Sequence, residues 1–275
     1  MAFNDASDPL ITRKAIPGDA PALTALWQEV FGDPEEYIEG FLRLLPGAGF
    51  GVVAEYGGEM AAMAYVLTGL GIEGKKCGYI YAVGTLPKFR GRGCGAAVTK
   101  AARDYALESG CEIIATQPSE PSLYGWYEEL IEVNPVAFAS PCVIMRGDGQ
   151  GAKSEPVALT AREYNVRREY LLQKTPHVVF SDSFMELEAH LCRTFGGNLY
   201  AVDQWIAAAY PEDNIIKIKE VLCDEESFSQ VVQSLIFITG SKAAIAVLPE
   251  GETPFMAAAP EYEVPDGIRW GFSLD

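Results

Sequence analysis

Phe89-Arg90-Gly91-Arg92-Gly93-Cys94-Gly95-Ala96 is the stretch of this 275-residue sequence best suited to chemistry, and the chemistry is anion binding. Three alternate glycines let the backbone approach a ligand and aim several N–H groups at one point, while two arginines add charge. Val98, Ala101, Ala102, Tyr105 and Ala106 follow at helical spacing, so the positive end of a helix faces the same point. A pyrophosphate meets all of these features. The pattern Gly91-x-Gly93-x-x-Ala96 also satisfies a dinucleotide fingerprint, with Glu112 near the acidic position expected about 20 residues on. That fingerprint needs a tight turn straight off a strand, whereas Pro87 and Phe89 lie between Thr85 and Gly91, so a nicotinamide-dependent oxidoreductase is the weaker reading. A phosphate-loop NTPase is excluded because no Gly-Lys-Ser/Thr ending follows.

The elements that must position this loop follow from hydrophobic spacing. Leu10 to Ile16 predicts a strand, and Asp19 is placed to cap a helix carrying Leu23, Leu26, Trp27 and Val30, which Gly32 ends. Asp33 caps a second helix that runs through Tyr37, Phe41 and Leu45 to Pro46-Gly47. Gly51 to Tyr56 and Glu59 to Leu67 flank Gly57-Gly58 as a hairpin. Gly78 to Thr85 is a third strand, then come the loop, its helix to Gly110, and a strand over Cys111 to Thr116. That is a βαβ unit, so the last two strands are parallel and the sheet is mixed. A short helix from Ser122 to Leu130 and strands at Val136 to Ala139 and Val143 to Arg146 close the region. Gly147 to Pro156, without an apolar anchor beyond alanine, reads as a linker between domains 1–147 and 157–275.

Beyond the linker, Thr160-Ala161-Arg162-Glu163 has the form of a capping box, and Asp182 caps a helix whose stripe is Phe184, Leu187, Leu191 and Phe195. Strands follow at Leu199 to Val202, Trp205 to Tyr210 and Ile215 to Leu222, then a helix capped by Asp224 and a strand at Ala243 to Leu248. This repeats the hairpin, strand, helix, strand order of the first half. Its third strand meets its helix through Cys223-Asp224-Glu225-Glu226, acidic and without glycine, where a pyrophosphate has no place. The second half therefore reads as a degenerate copy that lost cofactor binding.

The segment Thr85-Leu86-Pro87-Lys88-Phe89-Arg90-Gly91-Arg92-Gly93-Cys94-Gly95 resembles the signature of the GNAT superfamily of acyl-coenzyme A dependent N-acetyltransferases, and the similarity extends over roughly residues 9–147. The resemblance implies an α/β (more closely α+β) fold, with a mixed, mostly antiparallel sheet flanked by helices, followed here by a smaller GNAT-like lobe. It implies acetyl-coenzyme A as cosubstrate, its pantetheine arm on the backbone of Val83, Gly84 and Thr85 and its pyrophosphate on N–H groups from Arg90, Gly91, Arg92, Gly93, Cys94, Gly95 and Ala96. The family's acid is commonly a tyrosine in a stretch similar to Tyr127-Glu128-Glu129-Leu130-Ile131-Glu132, which departs from the family at its last two residues.

Acyl transfer from a thioester needs a donor for the developing oxyanion and an acid for the departing thiolate. The N–H of Val83 is the expected donor and Tyr127 the expected acid, with Tyr124 as its rival one turn away. A proton must also leave the amine, whose ordinary value is near 10.4. Tyr79 and Tyr81 alternate on the strand entering the site and are candidates to line it or to relay through water. Glu55, Glu59, His177 and His190 read as surface or packing residues, and Cys94 as a backbone contributor. The acceptor is expected to be a small-molecule or peptide amine.

Composition narrows the class. A formal charge of −17 without a basic run argues against nucleic acid, and the longest apolar runs fall short of the roughly 20 residues of a membrane span. Six widely spaced cysteines form no metal or disulfide pattern. With no secretory pattern at its N-terminus, the chain is expected in the cytoplasm. The altered surroundings of Tyr127 keep a non-catalytic acyl-coenzyme A sensor open as an alternative.

Overall fold

The computed structural model describes residues 9–139, 143–147, 154–246, 248, 253–258, 265 and 268–272. Strand β1 (Leu10–Lys14) leads into α1 (Ala20–Phe31) and α2 (Glu35–Ala48), then into β2 (Gly49–Tyr56), β3 (Glu59–Ile72) and β4 (Lys75–Thr85). Helix α3 (Cys94–Glu108) crosses to β5 (Ile113–Thr116), which runs parallel to β4, and α4 (Tyr124–Ile131) precedes β6 (Asn134–Ala139). The remaining elements are β7 (Val143–Arg146), β8 (Val157–Ala158), α5 (Ala161–Leu172), β9 (Val179–Phe180), α6 (Asp182–Thr194), β10 (Asn198–Val202), β11 (Trp205–Glu212), β12 (Ile215–Leu222), α7 (Glu225–Thr239), β13 (Ala243–Ala246) and β14 (Thr253–Ala258).

The two halves share one plan. The series β1-β2-β3-β4-β5 in the first sheet is matched by β8-β10-β11-β12-β13 in the second, and in each the last pair alone is parallel. Two helices precede the hairpin in each half and one helix joins the parallel pair. The strand beyond β5 is β14, from the far end of the chain, and the strand beyond β13 is β7, from the first half. Each sheet is completed by the other's chain. The strand at Val143 to Arg146, expected to close the first region, thus lies in the second sheet, and β9 adds to the first at β3.

One buried core runs through both halves. Trp27 sits at its centre, with ring centroids of Phe41, Tyr65, Tyr81 and Tyr37 between 5.0 and 6.0 Å away. Helices α2 and α6 pack closely: the His190 imidazole stacks on Tyr37 at 5.8 Å and donates to the Tyr37 carbonyl at 3.1 Å. Gly40 makes this possible, since a Cβ there would stand 2.1 Å from the same imidazole. Among the described residues no helix is long and apolar enough to cross a membrane.

Several expected helix signals act differently. Asp19 accepts from Arg13 at 2.7 and 2.9 Å and from the Ile16 amide rather than from α1. Asp33 accepts from Trp27 Nε1 at 2.7 Å, and the first amides of α2 turn to the Pro34 carbonyl instead. In each case a side chain six residues earlier takes the carboxylate in place of the helix amides. Helix α2 continues past Pro46, which forfeits a single hydrogen bond, to bury Leu45 and Ala48. Ser181 rather than Asp182 caps α6, whereas Thr160 with Glu163 and Asp224 cap α5 and α7 as expected. Most of the expected linker (residues 148–153), Cys142 and the first eight residues lie outside the described residues.

Candidate active site

The loop Arg90 to Ala96 connects the C-terminal end of β4 to α3. Gly91 and Gly93 have φ of +76° and +81°, a conformation side chains rarely take, and Gly93 is the N-cap of α3. Gly95 is needed for another reason: a Cβ there would lie 3.0 Å from Thr85 Oγ1. The first intrahelical bond runs from the Ala97 amide to the Gly93 carbonyl at 2.9 Å, so the amides of Cys94, Gly95 and Ala96 precede the ladder and face out of the helix end. They line a cavity of about 250 Å³ with Thr85, Phe89, Arg90, Gly91 and Trp126. Arg90 folds back on the Thr85 carbonyl at 3.3 Å, and the Arg92 guanidinium lies 5.2 Å from the ring centre of Tyr56. The Cys94 side chain is buried, and burial pushes its thiol up, which leaves its backbone as the useful part.

Strand β4 leads from this cradle into the molecule. Its pairing with β5 covers only Cys77 to Ile80, and the Thr116 hydroxyl donates to the Ile80 carbonyl at 3.1 Å where the pairing stops. Tyr81 to Thr85 therefore have no partner in β5, which opens a slot between the strands. Opposite β3 the register shifts between Met63 and Tyr65, and Ala82 takes a φ of +48°, a bulge that turns the strand at the slot.

The slot ends in a second cavity of about 460 Å³, whose lining includes Val83 and Tyr127 together with Tyr79 and Tyr81. Burial pushes the Tyr127 hydroxyl up to about 12, partly opposed by its hydrogen bond with Thr116, so it keeps its proton at neutral pH. Tyr81 and Tyr37 share a hydrogen bond of 3.1 Å between hydroxyls, and burial pushes both above the ordinary tyrosine value. Tyr124 is half-buried and does not line this cavity.

The other sequence candidates fall elsewhere. Glu55 accepts from Arg13 at 2.7 Å, Glu59 pairs with Lys88, and His177 contacts Glu169 at 3.1 Å. Glu112 pairs with Lys75 at the start of β5, the end of the sheet opposite the loop, where it is out of reach of any ligand in the cradle. Sequence reasoning missed Trp27, Phe31 and Asp33, which bring the turn between α1 and α2 into the wall of the second cavity, and Trp126, which borders the first. Only the Gly32-Asp33-Pro34 break hinted at a site, and the same residues serve equally well as a plain helix-to-helix turn.

A mixed sheet with a strand that parts from its parallel neighbour, and a glycine-rich loop at the following helix N-terminus, make up a fold of the GNAT type. Residues 20–130 match the model of the Acetyltransferase (GNAT) family. No curated protein sequence matches the chain. Among solved structures, a putative acetyltransferase from Pyrococcus horikoshii is similar over 99% of this chain and 97% of its own, at 15% identity and a TM-score of 0.65. A probable N-acyltransferase from Enterococcus faecalis (12% identity, TM-score 0.64) covers 91% of this chain and 72% of its own. A GCN5-related N-acetyltransferase from Kribbella flavida (14%, TM-score 0.62) covers 93% and 72%. At these identities the likeness concerns the fold.

Proposed function

We propose that this protein transfers an acetyl group from acetyl-coenzyme A to a primary amine. The observation that carries the reading is the continuity of the glycine cradle, the open edge of β4 and the Tyr127 cavity. Outward-facing amides at Cys94, Gly95 and Ala96, with Arg90 and Arg92 beside them, fit a pyrophosphate, and the edge of Val83, Gly84 and Thr85 that has no partner in β5 fits an amide-bearing arm. Acetyl-coenzyme A would supply the activated thioester.

The chain's own groups then have simple tasks. The Val83 N–H, beside the bulge, donates to the oxygen on which charge develops. The amine nitrogen forms its bond to the acyl carbon as the carbon–sulfur bond breaks, the Tyr127 hydroxyl gives its proton to the sulfur, and the proton that the acylated nitrogen sheds restores the Tyr127 hydroxyl. A raised value near 12 means that this proton is in place throughout the neutral range. The wall of rings around the reacting atoms excludes water that would otherwise hydrolyse the thioester.

The test is thermal stability with acetyl-coenzyme A, NADH or buffer, on the wild type and on an Arg92→Glu, Gly93→Asp variant, followed by thiol release over an amine panel. A ligand that binds only the folded form raises the melting temperature. A rise with acetyl-coenzyme A that the variant loses, together with thiol release, is the expected result. A rise without turnover on any amine would favour the sensor instead, and no rise at saturating cofactor would refute both.

A further inference from the structure

We infer that the acceptor is a compact primary amine with an apolar, single-ring body, bound as its ammonium ion against Asp33. The inference rests on the acyltransferase reading for its choice of cavity. It rests on the page for the chemistry of the wall.

Five rings, Trp27, Phe31, Tyr79, Tyr81 and Tyr127, surround the cavity of about 460 Å³, and one carboxylate, Asp33, lies among them. No lysine or arginine is part of this lining. Asp33 is half-buried and fixed in place, because Trp27 Nε1 donates to its Oδ2 at 2.7 Å, yet a carboxylate with one such donor keeps most of its acceptor capacity. A second acceptor points the same way: Gln117, also in the wall, has its Oε1 buried with no hydrogen-bond partner among the described residues. Acceptor capacity left open at Asp33 and Gln117 suits a ligand that brings N–H donors. Aromatic faces add attraction for a cation and cover an apolar body.

The same wall argues against other amines. An amino acid would bring a carboxylate beside Asp33 with no lysine or arginine in the lining to meet it. An amino sugar has no apolar body to cover the aromatic faces of Trp27 and Phe31. The ammonium must shed one proton before the nitrogen attacks, and the Asp33 carboxylate, facing it, is placed to take that proton and pass it to solvent as the amide leaves.

The experiment is calorimetric titration of the full chain with 2-phenylethylamine, phenylalanine and glucosamine, with and without coenzyme A, alongside thiol-release kinetics with acetyl-coenzyme A. Phenylethylamine is expected to bind at least about tenfold more tightly than either comparison, the scale of one charge-assisted hydrogen bond. Asp33→Asn keeps an acceptor for Trp27 and removes only the charge; it is expected to weaken phenylethylamine about tenfold and to leave the thermal shift with acetyl-coenzyme A unchanged. Equal or tighter binding of phenylalanine or glucosamine, or no effect of Asp33→Asn, overturns the inference while the cofactor shift still stands. An amine preference with no cofactor shift does the reverse: the ammonium site holds and the acyltransferase reading falls.

Discussion

Tyr127 carries the sharpest residue-scale prediction. Tyr127→Phe removes the hydroxyl while keeping the ring, and is expected to lower kcat by about 10² to 10⁴, the usual range for a lost general acid, with the acetyl-coenzyme A thermal shift retained. Tyr124→Phe, outside the cavity, should stay within about twofold of wild type in the same thiol-release assay if general-acid effects of that size belong to Tyr127 alone. A comparable loss in both variants would return Tyr127 to a packing role. The glycine cradle was legible in the sequence because its requirements are local: positive φ at Gly91 and Gly93 and close approach at Gly95 show in residue type. Tyr127 was legible only through family resemblance. Trp27 and Asp33 were not, because a ring at helical spacing and a polar residue between two helices read the same whether or not a cavity lies beside them.

At the scale of elements, hydrophobic spacing found the helices and most strands, and errors gathered where a side chain had a partner in the preceding element. Thr160 and Asp224 cap as their local sequence says, while Asp19 and Asp33 serve Arg13 and Trp27. Thr160→Ala should therefore cost about 1 kcal/mol in a denaturant titration, the value of a lost N-cap. Gly40→Ala should cost more, about 1 to 3 kcal/mol, because the new methyl must displace the His190 ring between α2 and α6. A smaller loss for Gly40→Ala than for Thr160→Ala would mean that the two helices part easily. Among the described residues, the β12–β13 pairing covers Ile215 to Ile218, four residues like the β4–β5 pairing. There Asp224 sits at the N-terminus of α7 with its own carboxylate on the Ser227 amide at 2.8 Å, occupying the place an anion would take. The sequence shows the same contrast as Cys223-Asp224-Glu225-Glu226, acidic and without glycine.

Across the whole molecule, the shared core sets the response to alkali. Burial holds the hydroxyl of Tyr127 at about 12 against an ordinary 10.0, holds the thiol of Cys192 at about 12 against 9.0, and raises Tyr37, Tyr81 and Tyr164 as well. A group whose folded value is raised contributes stability that is whole below its unfolded value and is lost as pH climbs to the folded one. For Cys192 and Tyr127 that window opens at about pH 9 and pH 10 and runs to about 12, and for Tyr37, Tyr81 and Tyr164 it reaches higher still. Melting temperature should accordingly change little on their account from pH 7 to 9 and fall steeply beyond, and a flat profile to pH 11 would show that these side chains reach water in the folded state. What the sequence concealed at this scale was pairing. Nothing in Val143 to Arg146 or Thr253 to Ala258 says which sheet each will join, since a short strand shows its face but not its neighbour.

The destinations of β7 and β14 make this chain the single-chain equivalent of a swapped dimer, two similar units each lending a strand to the other and then fused end to end. Covalent continuity between the units is then not what keeps them together. A protease site inserted between Asp148 and Lys153 should, once cut, give two fragments that migrate as one species without denaturant and still respond to acetyl-coenzyme A. Each fragment expressed alone should be insoluble, since it would leave a sheet edge bare and carry a strand with no sheet to enter.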